Sequence, residues 1–350
     1  MTITYHGGRR IQGTQADFDG TPAVSGGWKE LGRTTWASGN SINVSSLPDK
    51  RYYMILNYSD SASNYNNVYR FNSDTGSNYA WRRSINGGAD STSTSTTIIP
   101  SNSVSYDDFQ FTTSYIANLA GKEKLVISQG TDASAVGAGT APDRNEIAGK
   151  WVNTTDPIDE ITMTTTSANY NLGEVVVLGW DPDDTHTDNF WEELASVELE
   201  SAGELSSGTF TAKKYLWVQV YTPSSSNSSP DGYVEFNADS GTNYAHRRSH
   251  NGGSDTTGTS DGIGIRIDGT GGQTAKFHSF FIINNSSNEK LVIAQSITGN
   301  TAGAGNAPSR TESVGKWANT NSQITRVDII DQYASSQWGA GSFIKVWGSN

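Results

Sequence analysis

The sequence predicts an all-β chain folded as two tandem antiparallel β-sandwiches of jelly-roll type. First, one segment is written twice. FNSDTGSNYAWRRSINGGAD (Phe71 to Asp90) recurs as FNADSGTNYAHRRSHNGGSD (Phe236 to Asp255), ungapped at an offset of 165. A fixed long offset marks a duplicated structural unit. A second pair, GAGTAPDRNEIAGKWVNT from Gly137 and GAGNAPSRTESVGKWANT from Gly303, lies at an offset of 166, the change one loop indel produces. Second, the chain is rich in Gly, Ser, Thr and Asn and sparse in Lys and Glu, which favours turns over helices. Third, short β-prone runs alternate with Gly/Asn/Asp/Ser clusters, as in antiparallel sandwiches and barrels.

In order, residues 1–27 form an N-terminal arm, with Gly7, Gly8 and Gly13 around Arg9 and Arg10; it is expected to be extended and packed on a neighbour or on the first domain. Residues 28–180 form the first sandwich. Its runs are KELGRTTW, RYYMILNYS, NVYRFN, NYAWRRSI, DFQFTTSYIANL, KLVISQ, GKWVN, DEITMTTT and GEVVVLGW. In NYAWRRSI, Tyr79, Trp81, Arg83 and Ile85 share one face, because side chains alternate along a strand. Residues 181–190, DPDDTHTDNF, are an acidic linker. Residues 191–350 repeat the order through TAKKYLWVQVYT, GYVEFN, NYAHRRSH, FHSFFIINN, KLVIAQ, GKWAN, TRVDII and SFIKVWG. About eight strands per copy are expected. NFWEELAS (Asn189 to Ser196) is the nearest thing to a helix, but it aligns with WKELGRTT and is read as strand.

The balance of charges narrows the partners. A net charge of −12 argues against nucleic acid and against an anionic membrane surface. No apolar run is long enough to span a bilayer as a helix, and MTITYHGGRR has no apolar signal core. Cysteine is absent, which removes disulfides, thiol catalysis and Cys-ligated zinc.

The candidate site residues are mostly structural on this reading. Arg82 and Arg83 recur as Arg247 and Arg248; neighbours on a strand face opposite ways and form no joint clamp. Arg144 with Glu146, and Arg310 with Glu312, have the i, i+2 spacing of same-face ion pairs. His246 and His250 stand where the first copy has Trp81 and Ile85, which marks packing positions. Asp181, Asp183, Asp184 and Asp188 crowd one loop; they are read as a solvated linker, with calcium as the cofactor such hard oxygen donors would suit. Trp36, Trp81, Trp217 and Trp338 are candidates for a sugar-stacking platform. No nucleophile elbow, zinc-protease helix or phosphate loop is present. A glycosidase would need two carboxyl groups across a cleft, and neither Glu192 with Glu193 nor Asp107 with Asp108 is assigned that role.

The pattern F-N-x-D-x-G-x-N-Y-A-x-R-x-S-x-N-G-G (Phe236 to Gly253 in the second copy) is followed by NEKLVI, GKWANT, ITRVDI and the closing GSFIKVWG. It resembles the β-sandwich modules of structural proteins from tailed phages and archaeal viruses. The resemblance covers both copies and excludes the arm; the first copy departs at the closing strand, with Leu178 in place of Trp347. It implies a non-enzymatic virion or fibre subunit, with no catalytic residues to transfer. The expected role is therefore a self-assembling fibre, spike or decoration protein, ahead of a double-jelly-roll capsid protein. Homo-oligomers and other virion proteins are the expected partners. A carbohydrate-binding adhesin with glycan ligands is the alternative. The expected place is a virion or other extracellular assembly, made without a signal peptide.

Overall fold

A computed structural model of the chain describes residues 5–6, 9–10, 27–61, 63, 65–106, 109–223, 232–264, 275–299, 304–305, 307–331 and 337–350. Most of the arm, and Asp107 and Asp108, lie outside the described residues. Within the arm, β1 (Tyr5–His6) pairs with β2 (Arg9–Arg10).

The first sandwich opens with β3 (Lys29–Thr35), β4 (Ser41–Ser45), β5 (Tyr52–Ser61), β6 (Tyr65–Phe71), β7 (Tyr79–Ile85) and β8 (Ser91–Thr96). It continues with β9 (Ile99–Tyr106), β10 (Gln110–Ala117), β11 (Lys124–Asp132), β12 (Asp143–Trp151), β13 (Glu160–Thr165) and β14 (Tyr170–Trp180). The second opens with β15 (Glu192–Glu198), β16 (Leu205–Ser206), β17 (Tyr215–Thr222), β18 (Gly232–Phe236), β19 (Tyr244–His250) and β20 (Thr256–Ser260). It ends with β21 (Ile263–Gly264), β22 (Lys276–Ile283), β23 (Lys290–Thr298), β24 (Ser309–Trp317), β25 (Val327–Asp331) and β26 (Phe343–Ser349). Within NFWEELAS, Glu192 to Ser196 fall in β15, so the stretch runs into strand and not helix, as its alignment predicts.

Each copy pairs an eight-stranded sheet with a four-stranded one, and all pairings are antiparallel. The orders are β3-β14-β5-β10-β11-β12-β7-β8 over β4-β13-β6-β9, and β15-β26-β17-β22-β23-β24-β19-β20 over β16-β25-β18-β21. With β7, β8, β11 and β12 set aside, the first copy's other strands, renumbered in sequence, pair as 1-8-3-6 and 2-7-4-5. That is jelly-roll pairing, and the second copy reproduces it. Among the described residues the expected count of about eight is thus corrected to twelve: the hairpins β7–β8 and β11–β12 widen one sheet. These added strands carry the most strongly repeated segments.

Alternation builds each core. In β4, Ile42 and Val44 point inward while Ser41, Asn43 and Ser45 face solvent. The glycine of the repeated GKW triplet is required by close approach of the two sheets. A Cβ on Gly149 would come 2.6 Å from Ile99, and one on Gly315 would come 2.5 Å from Ile263. A third apolar cluster lies between the sandwiches, where the outer faces of the two eight-stranded sheets meet. It joins Met54, Leu56, Tyr58 and Phe111 to Tyr215, Ile283, Leu291 and Ile293. The chain is therefore four sheets deep, with the wide sheets inside.

Candidate functional site

The repeated segments are turn machinery. After β6 the chain enters the left-handed region at Asn72 (φ 52°), and after β18 at Asn237 (φ 55°). Asp74 then accepts the Gly76 amide at 2.8 Å and the Trp151 indole N–H at 2.7 Å. Asp239 repeats this with Gly241 at 3.0 Å and Trp317 at 2.7 Å. Burial works against both carboxylates, but the indole and amide donors hold them below their usual range. The INGG and HNGG turns are pinned alike: Asn86 accepts the Arg144 amide and Asn251 the Arg310 amide, each at 2.9 Å.

The arginines divide between their own copy and the other. Arg82 pairs with Asp90 at 3.0 Å on the surface. Arg83 lies over the Trp81 ring at 4.9 Å, and burial lowers its pKa. Arg310 pairs with Glu312 at 2.5 Å. Arg144 pairs with Glu146 at 2.7 Å and also crosses to the second sandwich, where Asp255 lies at 2.8 Å. Arg247 crosses the other way, to Asp143 at 3.3 Å and the Pro142 carbonyl at 2.9 Å. Arg248 stands half-buried on β19.

This sandwich-to-sandwich contact is an extended polar site. At its centre the buried Glu174 accepts from Tyr215 Oη at 2.9 Å, Lys214 Nζ at 3.1 Å, Thr35 Oγ1 at 3.0 Å and Arg33 Nη1 at 3.3 Å. Lys214 also sits over the Tyr58 ring. Burial first, then Glu174, raises the Tyr215 phenol well above its ordinary value and Tyr58 to about 12. Farther along, the buried Lys316 donates to the Ala133 carbonyl at 2.6 Å and to that of Ala135. Its neighbour Glu289 accepts the Gly137 amide at 2.6 Å. Sequence reasoning missed Glu174. The available signal was one acid opening the apolar run GEVVVLGW, on the face that should meet only solvent.

The predicted platform is corrected at Trp338. Its side chain is 2% exposed and its indole N–H donates to the Ile329 carbonyl at 2.7 Å, so it is core. Trp36, Trp81 and Trp217 are half-buried and do not share one surface: Trp36 lines a cleft of about 430 Å³ with Tyr58 and Asn285, while Trp81 stands on β7. Trp217 stacks on Trp347 at 4.9 Å and on Phe281 at 5.8 Å. In the linker, Asp181 and Asp184 close on Lys50, and Asp188 pairs with Lys29 at 2.8 Å; Asp183 is exposed. Among the described residues no group of three or more His, Asp or Glu side chains is placed to hold a metal. His246 is buried against the Gly264 amide, and His278 shares a hydrogen bond with Ser296 Oγ at 2.7 Å. Burial pushes their pKa values down to about 4 and about 3. Glu192 and Glu193 pair with Lys213 and Lys345 on the surface, not across a cleft.

No family model and no curated protein matches the chain. Among solved structures it aligns with domains LG4-5 of the mouse laminin alpha1 chain at 10% identity and a TM-score of 0.21, over 93% of this chain and 92% of that one. It aligns with Neisserial surface protein A at 7% identity and a TM-score of 0.12, over 79% and 99%. SCLam, a non-specific endo-β-1,3(4)-glucanase of family GH16, aligns at 9% identity and a TM-score of 0.17, over 41% and 62%. Scores this far below 0.5 carry no argument about this chain.

Proposed function

We propose that this protein is a non-enzymatic structural subunit that assembles with copies of itself, on a virion surface or tail appendage. One observation carries the reading: the outer face of one sandwich is already buried against the outer face of its sister copy, through an apolar cluster and buried ion pairs. A sheet face that binds a near-copy of itself is equipped for oligomerisation. The repeated Asp, Asn, Gly and Trp residues support the same reading, since their polar atoms are spent on turns rather than directed at a substrate. The sequence resemblance to viral β-sandwich modules supplies the virion setting. Electron microscopy of the purified full chain, with sedimentation across a concentration series, tests it. Regular fibres, rings or shells are expected. A monomer at every concentration overturns the proposal.

A second reading, glycan binding, is favoured by the half-exposed stack of Trp217, Trp347 and Phe281 on the outer face of the second sandwich. Stacked rings of this kind present an apolar face to a sugar. Saturable binding on a glycan array, lost in Trp217→Ala, supports it; an array without signal removes it.

A further inference from the structure

The contact between the sandwiches is staggered, and this decides what each copy leaves uncovered. On each wide sheet, let the head be the end where β5 (or β17) finishes and β10 (or β22) begins, and the foot the opposite end. The first sandwich offers its head, with Tyr58, Phe111 and Arg144. The second offers mainly its foot, with Tyr215, Leu291, Ile293 and Lys316, and adds Asp255 from the turn at the head end of β19. Different surfaces of two similar units meet, so the contact is heterologous and leaves one unused partner surface on each.

Those unused surfaces keep the residues of the used ones. At an offset of 166, Leu291 and Ile293 correspond to Leu125 and Ile127 in the foot of the first sandwich. Leu291 and Ile293 are 0% and 4% exposed, whereas Leu125 and Ile127 are 56% and 61% exposed. The buried pair Lys316 and Glu289 corresponds to Lys150 and Glu123, which pair at 3.0 Å in solvent. In the head of the second sandwich, Phe277 is 38% exposed where its counterpart Phe111 is 1% exposed. Beside Phe277 a groove of about 300 Å³ is lined by Ile297, Gln295, Arg310 and Glu312. Arg310 and Glu312 correspond to Arg144 and Glu146, which line the existing contact; Glu312 stands at the border of both surfaces. Large exposed apolar side chains in such patches mark interaction surfaces.

We infer that the head of the second sandwich docks on the foot of the first sandwich of another copy of this chain, repeating the internal contact between molecules and building an open, staggered head-to-foot array. The inference rests on the self-assembly reading above and names its surfaces. Phe277 and Ile297 take the place of Phe111 and Thr131, and meet Leu125 and Ile127 where the internal contact uses Leu291 and Ile293.

The test uses two full-length variants, Ile127→Glu and Phe277→Glu, followed by analytical ultracentrifugation. Both sites are exposed, and unchanged thermal unfolding confirms that each variant folds. The wild type should form a series of oligomers growing with concentration. Each variant alone should lose every species above monomer, since one of its two surfaces is dead. Mixed in equal amounts, the variants should form a dimer and nothing larger, because each retains the surface the other lacks. If both variants assemble like the wild type, the chain self-assembles through another surface and only this inference fails. If the wild type itself stays monomeric, the self-assembly reading fails with it. Growth of the mixture beyond dimers also overturns the head-to-foot geometry.

Discussion

The two sandwiches share one strand order and differ inside. Around Tyr69 the first core holds a polar network: its phenol bonds Asn57 at 2.5 Å and shares a bond with Ser114, which shares one with Ser128. The corresponding positions of the second copy are Val234, Val220, Phe280 and Ala294, all buried and apolar. The turns diverged far less; Asp74 and Asp239, Asn86 and Asn251, and Trp151 and Trp317 make the same bonds. Duplication here preserved the groups that fix where the chain reverses. It tolerated exchange of core chemistry where this network was replaced whole, which removes its polar groups together, including the Asn57 Oδ1 that finds no partner within it. On the outside the difference reverses: identical residues meet different fates, because the contact covers chiefly the head of one copy and the foot of the other.

The sharpest way to break that comparison is at the matched lysines. Lys316→Ala strands buried acceptors and should cost about 3–5 kcal/mol, whereas Lys150→Ala on the surface should cost under about 1 kcal/mol. Urea denaturation of the full chain measures both, and equal costs would mean that the sandwich contact contributes nothing. Next comes the isoleucine pair. Ile293→Ala should destabilise by about 2–4 kcal/mol, and Ile127→Ala by less than about 0.5 kcal/mol in the monomer.

A smaller effect is read in pH. Burial first, with Lys276 adding to it, holds the His278 pKa at about 3. The folded value lies below the unfolded one, so the contribution is complete above about pH 6.5. It is lost as pH falls toward 3, by up to about 1.4 kcal/mol per pH unit. His246 acts with the same sign. Glu235, pushed up to about 7 by burial and by Asp261, Asp328 and Asp239, partly opposes them between 7 and 4.5. Replacing His278 with the first copy's residue at that site, His278→Thr after Thr112, should flatten the acid limb of a thermal-stability profile. The smallest expected difference concerns the conserved turns. Asp74→Ala and Asp239→Ala should each cost about 1–3 kcal/mol and agree within about 0.5 kcal/mol; a large gap would show that the two turns are not equivalent.

Much of this architecture was legible in the sequence. The repeat gave two units, and alternation in runs such as NYAWRRSI and KLVISQ located strands that burial then matched. The strands not foreseen were polar or short. STSTST, now β8, lies at a sheet edge with little to bury, and the two-residue β16 and β21 are too short to show a period. The contact between sandwiches was not legible at all. Leu125 and Leu291 read identically, and only the docking of one wide sheet on the other separates an exposed leucine from a buried one. Trp338 failed as a platform for a related reason: tryptophan signals a large apolar surface, and the chain's path alone decides whether that surface meets sugar or core.

The Asp-to-indole bonds give the molecule paired internal reporters. Trp151 and Trp317 are each buried, each bonded to a carboxylate through Nε1–H at 2.7 Å, and each the sole such ring in its half among the described residues. Their ring protons should resonate close together, well separated from those of exposed indoles, and exchange with solvent only when their own half opens. Watching the two signals fade under denaturant would tell, without any label, which half lets go first.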